Sequence, residues 1–254
     1  MYRILFFLCI VMLIVCANSW IAYRESFNAN VYNTVMQTVA DKNIIPPKVA
    51  ENWKTFAPGV ERVLMNDKEC IQFLKDHFGE QTSEKFMSFK SGAHKADLFR
   101  YAWLYVNGGI YMDIKTVLIK PFHELFPNPN LCYLVVTDSS FAPKNRIYNG
   151  IIATPPKNPL MLKLLKGTMQ MTNEHEYIHN CEEGFRITSS LCEQGLQSYG
   201  LNKTIPSVPD VYVLKETPKS VDHCEHIPDR YNQCMFIVDG DEKVIKVRYS
   251  DYPW

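Results

Sequence analysis

"KADLFRYAWLYVNGGIYMDIKT", Lys95 to Thr116, is the stretch whose reading decides the fold. Leu98, Ala102 and Tyr105 recur at helical spacing, with Phe99 and Val106 beside them. That period predicts a helix with one face turned to a core. Asp97, Arg100 and Tyr101 stand at i, i+3 and i+4, so they share a second face. Asn107-Gly108-Gly109 ends the helix, because Asn and Gly tolerate the left-handed backbone a C-cap needs. The chain then enters "IYMDIKTVLI", Ile110 to Ile119, which reads as a strand. Side chains alternate along a strand, so Ile110, Met112 and Ile114 take one face and Tyr111, Asp113 and Lys115 the other. A carboxylate and an ammonium among apolar neighbours are costly unless paired or used. The plain alternative is a helix-face ion pair and an exposed strand pair, both of little energetic worth.

Working outward, strands and helices alternate. In "NIIPPKVAENWKT" the prolines mark an entry and "KVAENW" reads as a first strand. Ala57-Pro58-Gly59 is a turn, and "VERVLMN" alternates as a second strand would. "DKECIQFLKDHFG" carries Ile71, Leu74 and Phe78 on one side and stops at Gly79, as an amphipathic helix does. "LCYLVVT" is a core strand. "NRIYNGIIATPPKNPLMLKLLKG" reads as a loop, a short strand, a proline break and a helix. "CMFIVDGDEKVIKVRY" is a hairpin about an Asp-Gly turn. Residues 173–209 are mixed and give no clear period. The pattern is that of an α/β domain.

The chain has 254 residues, 46% of them hydrophobic, enough for one domain of catalytic size. Lys plus Arg and Asp plus Glu both total 27, so no basic excess points to nucleic acid. Ile4 to Ala17 is an uncharged apolar run, extended by weaker residues to Tyr23. A run of about 20 apolar residues can span a bilayer, and small residues near Ala17 also suit a cleaved signal. Residues 1–23 are therefore expected to be a signal anchor or a signal peptide, 24–42 a short stem, and 43–254 the catalytic-size domain. This places the domain on the exported side of a membrane, single-pass in a Golgi- or ER-like lumen, or alternatively secreted. Of eight cysteines, Cys9 and Cys16 fall in the apolar run, leaving Cys70, Cys132, Cys181, Cys192, Cys224 and Cys234. An even number in an exported domain predicts disulfides. No C-x-x-C pair suggests zinc. "NKT" at Asn202 is a glycosylation sequon.

The central block "KADLFRYAWLYVNGGIYMDIKT" resembles the signature of the DXD-motif sugar glycosyltransferases, the GT-A enzymes of family 32 that include initiating yeast mannosyltransferases and capsular polysaccharide enzymes. "IPPKVAENWK" resembles the family's opening strand, "PGVERVLMNDKECIQFLKDHF" its second strand and helix, and "YNGIIATPPKNPLM" a later segment. The resemblance covers roughly Ile45 to Leu165. It implies a GT-A-like (Rossmann-like) catalytic domain with a mixed central sheet; the apolar run adds an expected N-terminal apolar helix before it. The resemblance also implies a nucleotide-diphosphate sugar donor, a glycan or glycolipid acceptor, and retention of anomeric configuration. By resemblance Asp97 and Arg100 contact the donor, Trp53 stacks on its base, and Asp113 is the first motif Asp and metal ligand. Tyr101, Gly108, Gly109 and Asn149 complete the expected donor site. The departure is Lys115, where a family member has a second Asp. Two carboxylates there would hold a divalent cation, Mn or Mg, against the diphosphate; an ammonium cannot. Asp113 and Lys115 are the expected catalytic pair, and Asp222, Asp239 and Asp241 are further acids available to a metal. The alternative reading is a non-catalytic nucleotide-sugar- or glycan-binding protein on the same fold.

Overall fold

The computed structural model describes residues 32–137, 146–171, 211–219, 234–240 and 242–247. The apolar run, Asn202, Cys181, Cys192, Cys224, Asp222 and Asp241 lie outside the described residues. Among the described residues no helix is long and apolar enough to cross a membrane.

Among the described residues nine strands form one mixed sheet in the order β2-β1-β3-β6-β5-β7-β8-β9-β4. They are β1 (Thr34–Thr38), β2 (Glu61–Met65), β3 (Gly109–Met112), β4 (Val117–Leu118), β5 (Cys132–Thr137), β6 (Arg146–Thr154), β7 (Val211–Lys219), β8 (Cys234–Asp239) and β9 (Glu242–Lys246). The helices are α1 (Pro47–Phe56), α2 (Asp67–Phe78), α3 (Glu80–Ser88), α4 (Gly92–Asn107) and α5 (Pro159–Gln170). β1 runs parallel to both β2 and β3, while β6 is antiparallel to β3 and β5, and β7 is parallel to β5. The carboxyl ends of β1, β2, β3, β5 and β7 therefore share one edge, the edge at which open α/β sheets bind ligands. β4 follows β3 almost at once, yet it pairs with β9 at the far end of the strand order. The few residues between them reach at most roughly 18 Å at about 3.6 Å per residue, so the sheet curls until its last strand returns beside β3.

Period-2 alternation divides the core between the two faces. Met36, Tyr111, Leu134, Val136, Ile152 and Val213 pack under α2 to α5. Val35, Ile110, Met112, Val135, Ile151 and Leu214 pack on the other side with Val49 and Trp53 of α1. β2, α2, α4, β5, α5 and the β8–β9 hairpin are the elements expected from sequence. Asn66 caps α2 through a capping box with Glu69, and Asn158 caps α5 ahead of Pro159.

Four expectations change. Thr34–Thr38, where no period was legible, is a sheet strand. "KVAENW" is helical: Pro46 and Pro47 occupy the N-cap and first helical position, where a missing N–H costs nothing. β3 stops at Met112, so Asp113 and Lys115 lie in a turn closed by Thr116 N–H donating to Asp113 O at 2.9 Å. Cys70 and Cys132 are buried free thiols, not disulfide partners. The segment holding β7 was not anticipated at all.

Candidate functional site

The site is assembled at the carboxyl edge where β1 and β3 end side by side. Met36 pairs with Tyr111, which carries Gln37 and Thr38 alongside Met112 and Asp113. α4 crosses above and brings Asp97, Arg100 and Tyr101 down onto this edge. All three are buried, so the second face of the helix is no solvated stripe.

Arg100 is the hub, only 3% exposed. Its Nη2 lies 3.1 Å from Asp97 Oδ1 and 3.6 Å from Asp113 Oδ1. Nε donates to Ala96 O at 3.2 Å and Nη1 to Asn149 O. The guanidinium carbon sits 4.1 Å from the centre of the Tyr111 ring, a cation–π contact. Burial works against the charge, but Tyr111, Asp97 and Asp113 outweigh it and hold the pKa above its ordinary value. A buried cation survives only when it is so satisfied.

Each carboxylate is placed by its own partners. Asn149 Nδ2 donates to Asp97 Oδ1 at 2.7 Å and to Tyr101 Oη at 3.3 Å. Tyr111 Oη donates to Asp113 Oδ1 at 2.9 Å, which leaves the Thr38 hydroxyl, 3.3 Å from Tyr111 Oη, to donate in turn. Burial foremost keeps the Tyr111 phenol protonated above its usual value, so it remains a donor. The backbone of Asp113 is held by its N–H donating to Gly150 O at 2.8 Å, and by Gln37 Nε2 donating to Asp113 O at 3.4 Å. Arg62 fixes that Gln37 amide through two bonds to its Oε1, at 2.7 and 3.1 Å. Lys115 Nζ lies 3.5 Å from the second oxygen, Asp113 Oδ2.

Asn149 reaches the helix because β6 is bulged. Between the pairs Tyr133–Ala153 and Val135–Tyr148 the register with β5 shifts, so Leu134 alone faces Asn149 to Ile152. Bulges re-aim side chains, often next to active sites. Gly150 sits inside the bulge. A Cβ there would lie 2.3 Å from Tyr148 Oη and 2.8 Å from Asp113 Oδ2. Tyr148 Oη is buried and has no hydrogen-bond partner among the described residues. Burial, then Asp113 and Glu216, push its pKa well above the usual value.

Of the residues expected from sequence, Asp97, Arg100, Tyr101, Asn149, Asp113 and Lys115 come together. Trp53 does not join them. It is 3% exposed on α1, with Phe122 at 5.8 Å between ring centres and the Arg62 guanidinium 4.8 Å above its ring. Its link to the site runs through Arg62 and Gln37. Gly108 and Gly109 serve the turn: both have positive φ, and a Cβ on Gly108 would lie 2.5 Å from Pro156 N. The close approach at Gly108 is to the chain itself. Asp239 accepts from Tyr212 Oη at 2.8 Å. Thr38, Gln37, Tyr111, Tyr148 and Gly150 were missed. A Gly within the strand-like "YNGII" was the available signal for the bulge.

Residues 16–132 match the family model described as the glycosyltransferase sugar-binding region containing DXD motif. The chain resembles the DXD-motif sugar glycosyltransferases. The matched region takes in Asp97, Arg100, Asp113 and Lys115 and stops before Asn149 and the bulge. Among relatives of this family, the initiation-specific alpha-1,6-mannosyltransferase of Candida albicans is 27% identical over 115 residues, 43% of this chain and 30% of that protein. Its Schizosaccharomyces pombe counterpart is 22% identical over 191 residues, 67% of this chain and 47% of that protein. An uncharacterized glycosyltransferase of Acanthamoeba polyphaga mimivirus is 26% identical over 136 residues, 52% of each chain. The matched regions thus span from under a third to about half of these relatives' length. The solved PaToxG glycosyltransferase superposes with a TM-score of 0.40 at 17% identity, covering 72% of this chain and 80% of that one.

DXD-motif glycosyltransferases usually employ a divalent cation, so the donor set must be tested for one. Asp113 gives one oxygen to Tyr111 and sets the other against Lys115, with Arg100 close by. No group of three or more His, Cys, Asp or Glu side chains able to hold a metal occurs among the described residues. One carboxylate set between an ammonium and a guanidinium does not fit a divalent ion.

Proposed function

We propose that this protein is a glycosyltransferase with a GT-A-like catalytic domain, transferring a sugar from a nucleotide-diphosphate donor to a glycan or glycolipid acceptor with retention of configuration. The observation that carries this reading is the Asp97–Arg100–Asp113–Asn149 network, built on the buried Arg100, at the carboxyl edge of β1 and β3. Polar machinery this well fixed, with Asp97, Arg100 and Asp113 inside the region matched to a sugar-binding family, is what preorganised transfer chemistry requires. In the reaction the bond from the anomeric carbon to the diphosphate oxygen breaks, a bond to an acceptor hydroxyl forms, and that hydroxyl's proton is released. Arg100 acts here as a positioning residue, since it is buried and its guanidinium is held by Asp97, Asp113, Ala96 O and Asn149 O. Asp97 and Asn149 shape the donor side of the site. Asp113 and Lys115, 17% and 27% exposed at their side chains, face the ligand.

The apolar run at Ile4–Ala17 supports an exported domain on a membrane anchor. In that setting disulfides fall to Cys181, Cys192, Cys224 and Cys234, because Cys70 and Cys132 are core thiols.

Incubation of the purified chain with a panel of nucleotide-diphosphate hexoses and glycan acceptors should release nucleoside diphosphate, and Asp113→Ala should stop the release. Binding of donors with no turnover across the panel would replace this reading with the second one, a non-catalytic nucleotide-sugar-binding protein. The Lys115–Asp113 pair favours that second reading, because it sets an ammonium against the motif carboxylate.

A further inference from the structure

We propose that the Lys115 ammonium, rather than a divalent cation, receives the diphosphate of the donor at the end of β3. The proposal rests on the nucleotide-sugar reading above and concerns how that same site holds its ligand.

Lys115 is the most accessible charged group of the cluster. Its side chain is 27% exposed, against 4% for Arg100 and 12% for Asp97. It sits in the 113–116 turn, beyond the last pairing of β3, and so stands at the mouth of the carboxyl edge. Its contact with Asp113 is 3.5 Å long, the kind of part-exposed pair that is cheaply exchanged. A diphosphate carries more negative charge than one carboxylate and offers more acceptor oxygens, so it competes well for an ammonium.

A cation cannot take the same place without conflict. To reach Asp113 Oδ2 it must displace Lys115, and it then sits beside an ammonium and the Arg100 guanidinium, both close to the same carboxylate. Asp113 Oδ1 offers no relief, because Tyr111 Oη donates to it at 2.9 Å. The described residues supply no cluster of further ligands, and Asp239 is occupied by Tyr212.

An independent observation points to an acceptor arriving at this spot. Tyr148 Oη lies over Gly150 next to Asp113 Oδ2, buried and without a partner among the described residues. Buried hydroxyls are nearly always satisfied. A phosphate oxygen drawn in by Lys115 would supply the missing acceptor. Lys115 contributes the charge and Tyr148 a neutral O–H.

The test is calorimetric binding of ADP, CDP, GDP and UDP to the full chain, in EDTA and in Mn2+. The wild type should bind its preferred diphosphate with affinities within about threefold in the two buffers. Lys115→Ala should weaken binding by more than about tenfold in both, and Lys115→Arg should restore most of it. Lys115→Asp should bind only with Mn2+. Wild-type binding that disappears in EDTA would overturn the proposal while leaving the nucleotide-sugar reading standing, and this arm depends on no variant folding. Unchanged binding by Lys115→Ala would overturn it equally. If the wild type bound none of the four in either buffer, the nucleotide-sugar reading would fall and this proposal with it.

Discussion

β3 feeds two faces of the sheet that solve opposite problems. Ile110 and Met112 point into an apolar layer with Val35, Leu118 and Trp53, where packing alone settles the energetics. Tyr111, and Asp113 beyond the strand's end, point toward α4, where a buried guanidinium is held between one buried and one half-buried carboxylate. The first face tolerates any side chain of the right shape and size. The second holds only if every partner is in place, because an unpaired buried charge costs several kcal/mol. The lesson is that this edge invests in order rather than in stability, and it does so beside the most exposed charges of the cluster.

The largest test of that contrast sets Arg100→Ala against Ile110→Ala. Removing Arg100 strands two carboxylates and should cost about 3–5 kcal/mol in urea unfolding, with loss of nucleotide binding. Removing the Ile110 side chain should cost about 2–5 kcal/mol through its cavity, with binding per folded molecule unchanged. A cost below about 1 kcal/mol for Arg100→Ala would mean the network is not the keystone described.

Two glycines sharpen the comparison. Gly150→Ala places a methyl against Tyr148 and the Asp113 carboxylate. It should destabilise by about 1–3 kcal/mol and weaken donor binding by about tenfold. Gly167→Ala, in α5, meets nothing within 4 Å and should instead stabilise by about 0.5–1 kcal/mol. Equal melting temperatures for the two variants would show that the bulge yields freely.

Trp53→Phe asks which role Trp53 has. As a core residue whose Nε1 lacks a partner among the described residues, it should lose about 1–2 kcal/mol of stability and leave diphosphate affinity within about twofold. A tenfold loss of affinity in a well-folded variant would return Trp53 to the ligand.

The smallest effect concerns the two core thiols. Burial pushes Cys132 up to about 12 and raises Cys70 as well, so neither forms the reactive thiolate near neutrality. Site-resolved mass spectrometry at pH 8 should find both unmodified by a thiol reagent until the protein is denatured. Their folded pKa lies above the unfolded value near 8.5. The stability they contribute is therefore intact below that pH and is lost as pH rises toward 12. Rapid native labelling of Cys132 would contradict its burial.

Much of the site was legible because its residues are local. Asp97, Arg100 and Tyr101 share a helix face by spacing alone, and Gly108-Gly109 turns the chain so that Asp113 and Lys115 follow at once. α1 was misread because Pro46-Pro47 marks a helix start as well as a strand entry, and length alone did not arbitrate. β1 was missed because "TVMQT" is short and its polar ends hide a run buried on both faces. Trp53 was assigned to the ligand on a resemblance to a strand that is a helix here.

By itself the sequence determined the α4–turn–β3 unit, the pairing of apolar faces, and the departure at Lys115, since these depend on neighbours three or four residues apart. Only the tertiary structure decided what the charges meet. Thr38, Gln37, Asn149 and Gly150 come from strands distant in sequence, and the bulge in β6 and the curl of the sheet set their directions. A buried ion network is a three-dimensional object: its energy depends on distances of about 3 Å between groups that the chain brings together only after the sheet has closed.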